Sequence, residues 1–299
     1  MDRLEAMRIF AAVADAQGFA PAARSLRLSA PAVTRAVAAL EDRLGARLLH
    51  RTTRVVRLTE AGAHFLADCK RILGEVEEAE AAATGSHTEL RGPLAITAPL
   101  MFGRLHVAPI VLDFLKRHPA VVARALYLDR VTDLVEEGID AAVRIGPLPD
   151  SSLTAIRVGS MRRIVCAAPA YLRSHGTPRV PADLAEHDAV AFGGTTPLRE
   201  WAFEVDGKRR GVTPRVRLEV NSAEVAVAAA TAGQGVTRVL YYQAARELRT
   251  GKLRVVLPDF EPPPLPVQVV HAEGRRVAAR VRAFIDFAAK RLRANPLLR

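Results

Sequence analysis

The sequence predicts an α/β protein that begins with a winged helix-turn-helix, on three observations. Residues 19–44 hold two helical apolar periods separated by a tight corner. Residues 48–58 read as two short strands around a basic turn. Beyond Gly92-Pro93, strand and helix signals alternate to the end of the 299-residue chain, which is long enough for two or three compact units.

Leu4, Met7, Phe10 and Val13 give a first helix that packs behind the helix pair. Phe19, Ala22, Ala23 and Leu26 recur at i, i+3, i+4 and i+7, the face of a short second helix. Leu28-Ser29 breaks that pattern, and Val33, Val37, Leu40 and Leu44 resume it from about Ala30. Ser29 suits the N-cap, Pro31 sits in the first turn where a missing N–H costs least, and Gly45 ends the helix in a left-handed conformation. At about 100° per residue, Arg35 points away from Val33 and Val37, with Pro31, Ala32 and Thr34 beside it. That outer surface is small, hydroxylic and cationic, as a helix entering a major groove requires. The candidate DNA-binding residues are therefore Ser29, Ala30, Pro31, Ala32, Thr34 and Arg35 on the helix, with Arg51, Thr52 and Arg54 in the wing. Arg51, Arg54 and Arg57 would lie along the sugar–phosphate backbone. A helical hairpin with a solvated basic loop accounts for the same periods.

Thr59 is the expected N-cap of a long helix in which Phe65, Ile72 and Ala79 alternate with Cys69, Val76 and Ala83 in 4–3 spacing. Such a stripe serves either as one face of a core helix or as a dimer seam. The flanking Glu75, Glu77, Glu78 and Glu80 favour the seam, with Phe65, Cys69, Ile72, Val76 and Ala79 as its dimerisation residues. Thr84-Gly85-Ser86-His87 is polar and helix-breaking and reads as a hinge between modules.

The remainder reads as strand Leu94–Thr97, a helix through Val107, Ile110, Val111 and Phe114, strand Val121–Leu128, short helix Val131–Gly138 and strand Ala141–Ile145. Strand Arg163–Ala168, helix Pro169–His175, and strands Ala189–Phe192, Trp201–Val205 and Arg215–Val220 follow. Helix Ser222–Ala232, strand Gly235–Val239 and helix Gln243–Thr250 come next. Pro262-Pro263-Pro264 cannot be a central strand and marks a return connection to Val267–Val270 and a last helix, Val277–Leu292. This order implies crossovers and a largely parallel sheet.

Composition narrows the partners. Lys and Arg number 43 against 32 Asp and Glu, a formal net charge of +11, which favours a polyanion. Cys69 and Cys166 stand far apart in no metal or redox motif, charges are interleaved from Asp2 onward, and no apolar run approaches the ~20 residues of a membrane span. A cytoplasmic protein with no membrane partner is expected. Gly233-Gln234-Gly235 starts a GxG but lacks the third glycine of a dinucleotide fingerprint. There is no GxxxxGK loop, no paired histidines and no CxxC, so no enzyme, metal or cofactor is called for. An α/β ligand-binding or catalytic protein with a minor DNA-binding module is the competing class.

The succession Leu4…Phe10…Gly18-Phe19…Ala22-Ala23…Leu26…Leu28-Ser29…Pro31-Ala32-Val33-Thr34-Arg35…Leu40-Glu41…Leu44-Gly45…Leu48-Leu49…Arg51-Thr52…Leu58-Thr59…Gly62 resembles the LysR-type transcriptional regulators of bacteria. The resemblance spans about the first 65 residues. Two positions depart from the commonest form: Ala30 stands where a base-reading Gln is frequent, and Thr34 where Ser is frequent. The resemblance implies a winged helix-turn-helix over residues 1–58, a long dimerisation helix and hinge over 59–87, and a bilobed periplasmic-binding-protein-like effector domain over 88–299. Lobe one would take about 92–163 and 267–295, and lobe two about 164–266. It also implies double-stranded DNA and a small-molecule effector as partners, and a homotetramer built as a dimer of dimers; the heptad stripe by itself supports only a homodimer.

In such a bilobed unit, ligands bind at carboxyl ends of strands and at helix N-termini. The effector-binding candidates are Thr97, Ala98, Pro99, Leu100 and Met101, then Gly146, Phe192, Asn221, Ser222, Gly235 and Thr237. Turn and capping chemistry explains the same residue types at strand ends, and no lone charge among them identifies the effector.

Overall fold

A computed structural model describes residues 2–51, 56–83, 89–148, 153–193, 200–272 and 277–298. Its contacts gather into two compact units, one of Met1–Pro93 with Ala120–Val122 and Ala278–Arg280, the other of the remaining residues.

The first unit opens with helices α1 (Arg3–Asp15), α2 (Phe19–Leu26) and α3 (Ala30–Leu44). Their inward faces, Ile9, Phe10, Val13, Ala22, Ala23, Val33, Val37 and Leu40, form one buried cluster. The Ser29 hydroxyl accepts from the Ala32 N–H at 3.3 Å, and Gly45 closes α3 at φ 63°. Strands β1 (Leu49–Arg51) and β2 (Val56–Leu58) pair antiparallel as the wing. One carboxylate ties that wing to α3: Glu41 Oε1 accepts from the Leu48 and Leu49 N–H groups at 2.8 and 3.1 Å. Helix α4 (Glu60–Ala83) follows, capped by the Thr59 hydroxyl, which accepts from the Gly62 N–H at 2.9 Å and donates to the Arg47 carbonyl at 2.7 Å. Gly62 lies so close to the wing that a Cβ there would sit 1.9 Å from the Leu48 carbonyl oxygen.

The stripe on α4 is divided in its use. Cys69 is wholly buried in the cluster formed by α1–α3, and Phe65 packs against that cluster with its ring 5.6 Å from Phe10. Cys69 is therefore an intramolecular core residue and not part of a seam, which corrects the expectation for it. Burial, helped by Asp68, pushes its thiol up to about 12. Ile72 and Val76 remain half-buried. The side chain of Ala79 and the expected hinge at 84–87 lie outside the described residues.

The second unit continues from β3 (Gly92–Ala98) through α5 (Leu100–Phe102), a π-helical turn at Gly103–Val107, and α6 (Ala108–Arg117). Strands β4 (Val121–Tyr127), β5 (Ala141–Ile145) and β6 (Leu153–Met161) follow. The short helix expected at 131–138 is reduced to a single turn: the Asp133 side chain caps it by accepting from the Val135 and Glu136 N–H groups at 2.8 and 3.0 Å, the Glu137 N–H reaches the Asp133 carbonyl at 3.1 Å, and Gly138 at φ 62° ends it. Lobe two comprises β7 (Arg163–Ala167), α7 (Pro169–His175), β8 (Asp188–Phe192), β9 (Trp201–Val205), β10 (Lys208–Val212), β11 (Arg215–Val220), α8 (Ala223–Thr231), β12 (Val236–Leu240), α9 (Tyr241–Arg249) and β13 (Arg254–Val256). The chain then returns to lobe one with β14 (Leu265–Ala272) and α10 (Ala279–Arg293).

Each lobe is built on a five-stranded sheet, ordered β4-β3-β5-β14-β6 and β11-β8-β12-β7-β13. Strands β3 and β5 run parallel, as do β11, β8 and β12, whereas β14, β6, β7 and β13 pair antiparallel with their neighbours. The sheets are thus mixed and less parallel than the strand order suggests. Only Arg162 separates β6 of one lobe from β7 of the other. On the return, Glu261 receives Arg162 in a two-bond fork, Nε and Nη2 each at 2.8 Å.

The Glu41 contact yields a test. Glu41→Ala leaves the wing's Leu48 and Leu49 N–H groups without their acceptor, and stability should fall by about 1–3 kcal/mol in urea denaturation. Glu41→Gln, which keeps the acceptor oxygen, should recover part of that loss. An alanine variant as stable as the parent would mean the wing holds its place without the contact.

Candidate nucleic-acid interface and ligand cleft

On α3 the residues expected to face DNA are placed together. Ser29, Ala30, Pro31 and Arg35 are exposed, Ala32 and Thr34 are half-buried, and Val33 between them is buried. The helix itself orders two of these side chains: the Thr34 hydroxyl donates to the Ala30 carbonyl at 3.0 Å, and Arg35 Nε donates to the Pro31 carbonyl at 3.4 Å. The Arg35 bond uses Nε and leaves both terminal nitrogens for an acceptor pair. In the wing, His50 pairs with an exposed Arg57 across β1 and β2. The backbone of Arg51 completes β1, while its side chain, Thr52 and Arg54 lie outside the described residues. The surface so assembled has no acidic side chain at its first helical turn, where the helix dipole is itself positive.

In the second unit a cavity of about 320 Å³ opens between the lobes. Lobe one lines it with Thr97, Ala98 and Pro99 after β3, Leu128–Thr132 after β4, and Val143, Arg144 and Ile145 at the end of β5. Lobe two contributes Arg163, Phe192, Leu240, Tyr242 and Gln243. The geometry follows from strand direction. Leu128 N–H donates to the Ala98 carbonyl at 3.0 Å, so β3 and β4 end side by side. In lobe two, β8 ends at Phe192 and β12 at Leu240, and antiparallel β7 starts there because Arg163 pairs with Leu240.

Four expected ligand residues, Thr97, Ala98, Pro99 and Phe192, are brought together here. Leu100 and Met101 do not line the cavity; the Leu100 N–H is taken by Asp129 Oδ1 at 2.9 Å. Gly146 lines a neighbouring cavity of about 600 Å³ beneath the β9–β10 hairpin, with Arg163, Phe203, Arg209 and Leu265. Ser222 caps α8, accepting from the Val225 N–H at 3.4 Å, and Asn221 beside it is exposed; neither reaches the cavity. Gly235 and Thr237 are corrections. Both lie toward the amino end of β12, away from the cleft that receives its carboxyl end. A Cβ on Gly235 would sit 2.2 Å from the Asp188 carbonyl oxygen, so this glycine serves packing. Thr237 is wholly buried and donates its hydroxyl to the Val190 carbonyl at 2.9 Å.

The lining residues missed in the sequence were Leu128–Thr132, Val143–Ile145, Arg163, Leu240, Tyr242 and Gln243. The rule that ligands meet carboxyl ends would have reached Leu128–Thr132, Ile145 and Leu240–Gln243. Nothing local marks Arg163, whose place depends on an antiparallel strand. The charges are uneven: Arg130, Arg144 and Arg163 face a single carboxylate, Asp129. Arg130 is held by Glu137 in a fork at 2.7 and 2.8 Å. Arg144 donates one terminal nitrogen to the carbonyl and hydroxyl of Thr132. Among the described residues no group of three or more His, Cys, Asp or Glu could hold a metal ion, and no helix is long and apolar enough to cross a membrane.

The reassignment of Thr237 gives a prediction. Thr237→Val should cost about 1 kcal/mol in urea denaturation through the lost buried hydroxyl, with Thr237→Ser closer to the parent. A change in small-molecule affinity at unchanged stability would return Thr237 to the cleft.

Comparison with known proteins matches both modules of the chain. Residues 4–63 match the bacterial regulatory helix-turn-helix protein, lysR family, and residues 87–293 match the LysR substrate binding domain. The transcriptional activator AaeR of Escherichia coli is 31% identical over 286 residues, covering 96% of this chain and 93% of that protein. An HTH-type transcriptional repressor of Pseudomonas aeruginosa is 33% identical over 299 residues, covering 99% and 94%. The solved structure of CrgA, a LysR-type regulator from Neisseria meningitidis, superposes with a TM-score of 0.62 at 30% identity, covering 97% of this chain and 99% of that one. The chain belongs to the LysR family of helix-turn-helix transcriptional regulators, which join a DNA-binding domain to an effector-binding domain.

Proposed function

We propose that this regulator works in the cytoplasm as an oligomer, at least a dimer and by family analogy a dimer of dimers. Paired winged modules take two half-sites on double-stranded DNA, and a small molecule between the two lobes of the effector domain resets their spacing. One observation carries the reading: a metabolite-sized cavity whose wall comes from both lobes, at the carboxyl ends of β3, β4, β5, β8 and β12. A molecule there changes the lobe equilibrium only through its differential affinity for the two arrangements. The relatives include an activator and a repressor, so membership in the family does not fix the sign of regulation. The direct experiment is to sequence genomic fragments captured by the full-length protein, then titrate the best fragment with and without metabolites suggested by neighbouring genes. Captured DNA without a shared motif would contradict sequence-specific regulation.

Two substitutions separate reading from holding. Arg35 projects from the first turns of α3, where a guanidinium makes a bidentate contact to guanine O6 and N7, with about 1–3 kcal/mol of discrimination. Arg57 is exposed on the wing and suits phosphate, where each contact contributes about 0.9 to the log–log salt slope. Arg35→Ala should weaken the captured fragment far more than scrambled DNA; Arg57→Ala should weaken both alike and flatten the salt dependence. Equal losses on both duplexes for Arg35→Ala would make it a phosphate anchor.

The seam is tested on α4. With Cys69 committed to the subunit core, Ile72 and Val76 are the half-buried positions of the stripe, among the described residues, proposed to meet a second copy. Ile72→Asp combined with Val76→Asp places carboxylates in that seam, where an unpaired charge is strongly disfavoured. Sedimentation should show loss of the dimer at micromolar concentration, with DNA affinity falling in step. An intact oligomer would move the contact elsewhere.

A further inference from the structure

Most polar groups on the wall of the interlobe cavity are already bonded within the protein. The Thr97 hydroxyl donates to the Leu126 carbonyl at 2.7 Å, and Asp129 Oδ1 accepts from the Leu100 N–H. Gln243 Oε1 accepts from the Leu240 N–H at 2.8 Å, and its Nε2 donates to the Tyr242 hydroxyl at 3.3 Å. Arg130 is neutralised by its fork with Glu137. Two guanidinium groups stand apart. Arg144, from β5 of lobe one, has its Nε buried with no acceptor among the described residues. The Arg163 side chain, half-buried at the start of β7 in lobe two, makes no hydrogen bond or ion pair among them.

Buried donors without acceptors are costly. Burial makes the charged form of Arg144 harder to keep, against the pull of Glu137 and Asp133. Burial and the nearby Arg209 do the same to Arg163. Apolar surface from Val143, Phe192 and Leu240 and the Tyr242 ring complete the wall. A ligand suited to this lining brings acceptors and negative charge on an apolar body.

We propose that the cavity takes a small organic carboxylate, its oxygens held between Arg144 of one lobe and Arg163 of the other. The assignment rests on the cleft being the effector site and adds the chemical class and the trigger. A carboxylate between them forms charge-assisted bonds to both guanidinium groups, and these exist together only when both lobes are engaged.

The test is thermal melting of the full-length protein with acetate, benzoate, succinate and inorganic phosphate, each organic acid set against its neutral amide. At least one carboxylate should raise the melting temperature while its amide does not. Arg144→Gln and Arg163→Gln should each weaken that response about 10–100-fold, and Arg163→Lys, which keeps the charge, should retain part of it. Far-UV circular dichroism and a cooperative melt show that each variant is folded. Equal responses to acid and amide, a response to phosphate alone, no acid response up to about 20 mM, or full affinity in both Gln variants would overturn the assignment. Ala98→Trp, which fills the cavity, separates the two failures. Amide binding that this variant abolishes leaves the cleft as the effector site with a neutral ligand, whereas acid binding that survives it removes the cleft as well.

Discussion

The effector domain depends on one antiparallel pair, β6 with β14, because these strands carry both crossings between the lobes. Their ladder runs from Leu153 against Ala272 to Met161 against Leu265, where the chain leaves lobe one on one strand and returns on the other. Arg162 and Glu261 close the crossing with two bonds, and Glu261 is 13% exposed against 48% for Arg162. Two adjacent crossings are the arrangement a hinge uses, and under the proposed function rotation about that pair would open or close the cavity. A ligand touching both lobes therefore acts on one coordinate.

Strand direction then decides which side chains meet. Parallel β3 and β5, and parallel β8 and β12, send their carboxyl ends to the same cleft, while antiparallel β7 sends its first residue there. Arg163 thus joins a site composed otherwise of strand ends. The DNA-binding unit has an analogous economy. Glu41 reaches from the recognition helix to the wing, and Gly62 lets α4 approach the start of that wing, so helix, wing and long helix share one core.

Much of this was legible in the residues. Local chemistry settles the helix-turn-helix: Ser29, Pro31 and Gly45 mark the ends of α3, Thr59 caps α4, and the apolar periods name the core helices. Residues whose role depends on distant pairing were not legible. The period that places Cys69 on a stripe cannot say whether α1 or a second copy covers it. A glycine before a strand looks the same at either end of a parallel sheet, which is why Gly235 and Thr237 were expected in the cleft and Arg163 was not. At 131–138 the helical period is real, but capping by Asp133 and the left-handed Gly138 leave room for one turn only.

In the proposed mechanism one small molecule is gripped by both lobes at once. Amide hydrogen exchange of the full-length protein, with and without the carboxylate that most raises its melting temperature, measures this directly. Added protection is expected in peptides spanning 97–99 and 128–132 of lobe one together with 240–243 of lobe two, growing with a single ligand concentration dependence. Protection confined to one lobe, or centred on residues 203–209 and 262–265 of the neighbouring cavity, would contradict it.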